Sequence, residues 1–390
     1  MNQFFWPDSA PTGKLLGDLA EELQAQGHSV QVLAGRGRYE GVPAYPEPKV
    51  EIVRLPTVAF SRSPLMRILS WLSFLLMAAW KGCFMPKRDV VVCMTTPPGL
   101  SYVGLLIHWL RGSQFWIWEM DLYPDVAEGA GMLVPGSLLH KILRGVMNFP
   151  RRHATGIIVL GDCMKARLVS QGISGEKIVI AENWATRSES SPKQSPDAGP
   201  LKILYSGNLG VAHEMETIAE VMLRLRNDAG FEFTFAGGGS RRAALEQFAK
   251  EHNIQNVRFQ GYQDDQGFAA CLADSHVGLI TLREGCVGSV VPSKMYSLLA
   301  AGRPVLFIGP AYASTALQID RFGCGWHAES GEYDKIESLV RSLAQWRDLV
   351  HTASGQAKFA FQTYFEKSIR VQYLSAQLIG QEGLSKAKAA

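Results

Sequence analysis

What the sequence lacks sets the first limits. It has six cysteines (Cys83, Cys93, Cys163, Cys271, Cys286 and Cys324), scattered and without a C-x-x-C pair. That pattern fits reduced thiols of a cytosolic protein and suggests neither a disulfide framework nor a zinc site. Its formal net charge is only +3, too small for a global argument about nucleic acid. The first residues do not read as a secretory signal. The uncharged stretch Ile68 to Trp80 is thirteen residues long, whereas a bilayer core needs about 20 apolar residues, so it should not span. No D-x-D motif falls at a strand end, and no catalytic metal or other cofactor is implied. The first glycine-bearing turn lacks G-x-G-x-x-G and an acidic residue about 20 positions on, which disfavours a NAD-dependent dehydrogenase.

What is present is a globular composition of 390 residues, 47% hydrophobic and 19% charged. That length suggests two domains. A Ser/Pro-rich, apolar-poor segment, Thr186 to Pro200, reads as a linker. Apolar strands and amphipathic helices alternate on both sides of it, which predicts two doubly wound α/β domains of Rossmann type. The expected division is 1–185, the linker 186–200, 201–365, and a C-terminal helix and tail over 366–390 that crosses back to the first domain.

The most informative stretch runs from Val291 to Gly309. Pro292 suits a first helical position, Gly302 a left-handed C-cap, and Pro304 stops the helix. Val305 to Ile308 then reads as a parallel strand covered on both faces. Free N–H groups, Ser293 and Lys294 converge at the helix start, a place for an anion such as a diphosphate. Read blandly, the same residues are an ordinary capped helix.

The chain begins at the end of a strand. Asn2 to Phe5 run into the loop Pro7 to Gly13, where a Rossmann-like domain would have a fuller first strand. The natural start is therefore expected upstream.

Two segments suggest a surface role. Leu65 to Lys81 and Leu138 to Arg152 are apolar helices with basic and aromatic residues. From Phe60 to Thr155 there are ten Lys/Arg against five Asp/Glu. Such helices suit the plane of a membrane surface, with a buried core helix as the plain alternative.

Several short pieces, in order, resemble family 4 retaining glycosyltransferases of GT-B fold, of the bacterial cell-surface polysaccharide type. They are Pro7-Asp8 with Pro11-Thr12-Gly13, Gly27-His28, Asp121-Leu122-Tyr123-Pro124-Asp125 and Glu182-Asn183-Trp184. In the second half they are Tyr205 to Gly210 with His213, Phe235 to Gly239, Phe259 to Tyr262, and Val291 to Lys294 through Gly302 to Val305. The resemblance covers nearly the whole chain, from Asn2 to about Tyr373, and implies two Rossmann-like domains facing across a cleft.

It also implies roles. Lys294 and Ser293 would hold the leaving nucleotide diphosphate, with Gly207, Asn208 and His213 on a second loop and Gly13 approaching from the first domain. Asp121 would position the reacting groups, with Glu119 and Asp125 as rivals. Glu284 and Gly288 would meet the sugar, and Gly261 and Tyr262 the base. The sequence departs from the family where two glutamates are usual: Ser289 and Ser297 stand there. The implied activity moves a hexosyl or N-acetylhexosaminyl group from a nucleotide-diphosphate sugar, with retention, to a lipid-linked glycan at the inner face of the cytoplasmic membrane. Alternatives are an epimerase or phosphorylase of the same fold, or an inactive membrane-associated assembly factor.

Overall fold

The computed structural model describes residues 1–8, 10–36, 46–61, 63–186 and 199–380. The expected linker 186–200, except for its ends, and the tail 381–390 lie outside the described residues. The chain divides into two compact units. The first comprises 1–125, 134–183 and the chain from Ser368; the second comprises 126–133 and 184–367.

In the first unit, helix α1 (Pro11–Ala25) leads to the parallel pair β1 (Gln31–Ala34) and β2 (Glu51–Arg54). Helix α2 (Pro64–Phe84) follows, then β3 (Val90–Met94), α3 (Leu100–Arg111) and β4 (Gln114–Trp118). After α4 (Asp125–Gly129), which but for Asp125 belongs to the second unit, come α5 (Leu138–His153), β5 (Gly156–Val159), α6 (Asp162–Ser170) and β6 (Ile178–Ile180). Strands β3, β4, β5 and β6 pair in that order, all parallel. Pro150, expected near the end of α5, lies inside the helix, which continues to His153.

The sequence places a first strand over Asn2–Phe5, but the chain makes only a few backbone hydrogen bonds there. Asn2 N–H donates to Leu33 at 3.2 Å and Gly35 N–H to Gln3 at 3.0 Å. On the other side Gln3 N–H donates to Thr96 at 2.9 Å and Met94 N–H to Met1 at 3.1 Å. Residues 1–3 thus hydrogen-bond to the β1 and β3 segments at once, the central position expected of a first strand. Phe4 and Phe5 leave the ladder and bury their rings instead.

The second unit is a six-stranded parallel sheet. Its strands are β7 (Leu201–Ser206), β8 (Phe231–Ala236), β9 (Val257–Gln260), β10 (Val277–Thr281), β11 (Val305–Ile308) and β12 (Gly325–Ala328), ordered 12-11-10-7-8-9. The connecting helices are α7 (Glu216–Arg224), α8 (Arg242–Glu251), α9 (Asp265–Asp274), α10 (Lys294–Ala300) and α11 (Ser314–Phe322). Helices α12 (Tyr333–Gln345) and α13 (Arg347–Ala360) follow, and α14 (Lys367–Ile379) belongs, from Ser368 on, to the first unit. Ile203, Phe233, Phe235, Leu279, Leu306 and Ile308 meet Ile218, Met222 and Val340 in one buried cluster. All four residues of β11 are fully buried, as its unbroken apolar run predicts.

The α10 segment corrects one expectation. The helix begins at Lys294, with Ser293 as an N-cap whose side chain makes no capping bond; Pro292 precedes it. It is seven residues long, so its dipole adds little, and the lysine charge carries the anion argument. Gly302 does adopt the left-handed conformation, at φ 64°.

Packing in the first unit leaves no slack beside α3. A Cβ on Gly104 would lie 2.3 Å from the Phe115 ring and 2.5 Å from Cys93 Sγ. Gly104→Ala is expected to cost about 1–3 kcal/mol, read as a lower midpoint of denaturant unfolding. An unchanged midpoint would mean that α3 shifts freely on β3 and β4.

Candidate active site

In a parallel sheet covered by helices, loops at the carboxyl ends of the strands are the accessible backbone. The candidate residues of the second unit lie there. Gly207 and Asn208 follow β7, Gly237 to Gly239 follow β8, Gly261 and Tyr262 follow β9, and Glu284 to Gly288 follow β10.

The first two loops pack backbone on backbone. Gly207 N–H donates to Ala236 at 2.8 Å, Leu209 N–H to Gly238 at 2.6 Å and Arg241 N–H to Leu209 at 3.0 Å. A Cβ on Gly237, at φ 135°, would stand 2.0 Å from the Gly207 oxygen, so only glycine fits. The result is a floor of main chain with Asn208 exposed above it.

Lys294 lies along this floor. Its Cε would be 3.2 Å from a Cβ placed on Gly207, and its ammonium sits 5.4 Å from the centre of the Phe268 ring. Although the residue as a whole is exposed, the atoms crowding its ammonium push its pKa below the ordinary lysine value. Among the described residues no carboxylate pairs with it. It is a reachable cation without a counter-charge.

His213 was expected to act as a basic contact; the structure gives it a different state. Its Nδ1 lies 2.9 Å from the Thr281 carbonyl, which only accepts, so Nδ1 carries the proton. Burial, with Arg241 adding, lowers its pKa, so the ring is neutral at physiological pH. Its neighbours form a cluster that the sequence did not single out. Glu216 accepts from Arg241 at 2.9 Å and from Arg283 at 2.7 Å, tying the loops after β8 and β10 to the start of α7. Burial alone would raise Glu216, but Arg241 and backbone donors override it and hold the carboxyl at about 2. An acidic first turn on α7 was the only signal in the sequence.

The 284–288 loop is a tight turn. Glu284 is exposed, Gly288 is buried with φ 77°, and Ser289 is fully buried with Oγ donating to the Cys286 carbonyl at 2.8 Å. Residue 129, grouped with this unit, backs it so closely that a Cβ there would lie 2.6 Å from the Gly285 oxygen. Gly261 and Tyr262 are both exposed, with open space around Gly261.

In the first unit, Gly13 is buried in the first turn of α1, its N–H donating to Ala10 at 2.9 Å. Asp121 follows β4, and the structure separates it from its rivals. Glu119 is buried against Arg151 at 2.7 Å. Asp125 is fully buried and accepts from Arg167 at 2.8 Å, Gln171 at 2.8 Å and Arg144 at 3.2 Å. Among the described residues none clamps Asp121 in this way; burial, with Glu119 adding, pushes its pKa up to about 6. A cavity of about 290 Å³ in this unit, lined by Leu16, Leu19, Val32, Val90, Val92 and Ile107, contains none of these residues.

Comparison with known proteins identifies the family. Residues 12–184 match a glycosyl transferase 4-like domain, and residues 200–320 match the glycosyl transferases group 1 domain. The chain is a glycosyltransferase of family 4, with the GT-B fold. It is 25% identical to a putative colanic acid biosynthesis glycosyl transferase, WcaI of Escherichia coli K12, over 95% of this chain and 96% of that one. It is 27% identical to a probable glycosyltransferase, WbjE of Pseudomonas aeruginosa, over 66% and 67% respectively. Among solved structures, Anabaena HepE in complex with UDP-glucose superposes with TM-score 0.70 at 13% identity, covering 97% of this chain and 98% of that one. WaaG, a glycosyltransferase involved in lipopolysaccharide biosynthesis, gives 0.67 at 16%, covering 98% and 99%.

Asp121 allows a test that needs no substrate. Its folded pKa, about 6, lies above the ordinary value of 3.8, so the ionised carboxylate disfavours the fold once pH rises through that window. Asp121→Asn is therefore expected to raise the thermal midpoint at pH 8 and leave it unchanged at about pH 3, below both values. A variant that melts lower at pH 8 would show that the carboxylate is stabilised after all.

Proposed function

We propose that this glycosyltransferase moves a hexosyl or N-acetylhexosaminyl group from a nucleotide-diphosphate sugar, with retention, to a lipid-linked glycan in surface polysaccharide synthesis. The observation that carries this is Lys294: a cation without a counter-charge, beside a glycine floor at the carboxyl ends of parallel strands. A leaving diphosphate is the anion such a place would stabilise, without reorganisation as charge develops. Backbone N–H groups near Ser293 and Asn208 would add to it. The resemblance adds Gly13 toward the phosphates, Glu284 and Gly288 toward the sugar, and Gly261 and Tyr262 toward the base. Asp121 would accept a hydrogen bond from a reacting hydroxyl, a positioning role.

The lipid part rests on three helices of the first unit. Helix α2 buries only Ser70, Phe74, Ala78 and Gly82, and exposes Leu65, Leu72, Leu76, Trp80 and Phe84. Helix α5 exposes Leu138, Leu139, Ile142, Val146 and Phe149 beside the exposed Lys141 and Arg152. Helix α3 packs against both, with Tyr102 Oη donating to the Val146 carbonyl at 2.7 Å, and adds Leu106, Trp109 and Leu110. No described helix is long and apolar enough to cross a membrane. An apolar face ringed with cations fits an anionic bilayer surface on the cytoplasmic side.

Purified protein, membranes and a panel of labelled nucleotide sugars test the whole reading: one label should move into the lipid fraction. Lys294→Ala should lower that transfer by about 10²–10³ with the fold intact. Near wild-type turnover in the folded variant would remove the assignment. Separately, the protein should sediment with anionic vesicles at low salt and be released as salt rises, and Leu72→Glu with Leu76→Glu should prevent it.

A further inference from the structure

Helix α5 has a second face. His140, Arg144, Asn148 and Arg151 recur at helical spacing on the side away from its exposed apolar residues, and His140, Asn148 and Arg151 are buried. This inner face is wired to the segment that carries Asp121. Arg151 Nε donates to Glu119 at 2.7 Å, and its Nη1 donates to the Tyr123 carbonyl at 3.2 Å and to Asn148 Oδ1 at 2.9 Å. Asn148 Nδ2 donates to Gln171 at 3.0 Å, and Gln171 and Arg144 donate to Asp125 at 2.8 and 3.2 Å. Glu119, Tyr123 and Asp125, on either side of Asp121, are thus all held directly or through one residue by α5.

The helix therefore joins two things in one rigid element. Outward it presents the apolar surface described above; inward it fixes the backbone on both sides of Asp121. We propose that α5 couples lipid docking to the reaction, with Asn148, Arg151 and Glu119 as positioning residues that hold the 119–125 segment, and through it Asp121, in place. The proposal rests on the reading of Asp121 and of the membrane face. A helix seated on a bilayer loses freedom to rock, and the hydrogen bonds on its inner face pass that restraint to the loop. Fixing a reacting geometry in this way is worth much in rate, since a displacement of about 1 Å can cost on the order of 10²-fold.

The groups facing Asp121 also predict a signature that loosened packing would not give. They are Glu119 and Tyr123 on its own segment, with Arg151 from α5 compensating Glu119. With Glu119→Gln one negative neighbour disappears, so the acid limb of the pH–rate profile should move below about 6.

The test uses the full chain with vesicles of phosphatidylethanolamine and phosphatidylglycerol. Amide hydrogen exchange of 119–125 is followed with and without vesicles. Turnover is followed with the nucleotide sugar whose transfer Lys294→Ala stops. Wild-type protein should gain protection over 119–125 when vesicles bind. Asn148→Ala should sediment with vesicles as wild type does, yet show no gain there and a kcat lower by about tenfold or more at unchanged KM. Asn148→Asp, which keeps the acceptor for Arg151, should restore part of it. If wild type sediments but 119–125 shows no gain, the coupling is overturned while the membrane reading stands. If it does not sediment, the membrane reading fails and takes the coupling with it. An acid limb that stays put in Glu119→Gln overturns the link through Asp121.

Discussion

A parallel strand can pass its chain onward only from its carboxyl edge, and helices cover both faces of a sheet built this way. That constraint decides where this molecule can do chemistry. In the second unit the loops after β7, β8, β9 and β10 all leave from one edge, and in the first unit Asp121 leaves from the same edge of β4. Side chains inside the sheets are spent on packing: every residue of β5, β10 and β11 is buried. What can meet a ligand is the backbone of short loops and the few side chains that the loops carry. Glycine at 207 and 237 allows two such loops to stack at hydrogen-bond distance, which any Cβ at Gly237 would forbid.

The charges left uncompensated are as informative as the paired ones. Glu119, Asp125, Glu216 and Glu182 each have guanidinium partners: Arg151, then Arg144 with Arg167, then Arg241 with Arg283, and Arg370. Buried ions need such partners, because an unpaired one forfeits its hydration with nothing in return. Against that background Lys294 and Asp121, of opposite sign, have no ion-pair partner among the described residues, and each is shifted toward its neutral form by the atoms crowding its charged group. A fold that tolerates such groups gives up some stability at those positions, a trade usual where a site must interact with something not yet bound.

Sequence alone carried the architecture well, and physics explains where it stopped. Alternating apolar strands and amphipathic helices, the Gly302 stop and the β11 run are local patterns, and they appear as read. Strand β12 escaped because Gly325-Trp326-His327-Ala328 sits at a sheet edge, half-exposed, and lacks an apolar run. Helix α9 escaped although Asp264 caps it, its side chain accepting from Gly267 N–H at 2.7 Å. The site was less legible than the fold. Glu119, Asp121 and Asp125 are one kind of residue within seven positions, and only their partners on α5 and α6 tell them apart. The same holds for His213, whose tautomer is fixed by a carbonyl 68 positions away and whose neutral state comes from burial.

The serines at 289 and 297 can be placed on the same terms. A glutamate at 289 would project a carboxylate from a position that is fully buried here, whereas Ser289 closes the turn onto Cys286. The turn is otherwise held by main chain: Cys286 N–H donates to Arg283, Val287 to Glu284, and Ser289 to Cys286, all at 3.0–3.1 Å. Gly129 leaves no room behind it. A loop so constructed presents fixed backbone dipoles. Fixed dipoles bind hydroxyls without the entropy cost of ordering a long side chain. On the proposed reading, this loop would meet the sugar with backbone groups and the exposed Glu284 rather than with a carboxylate at 289.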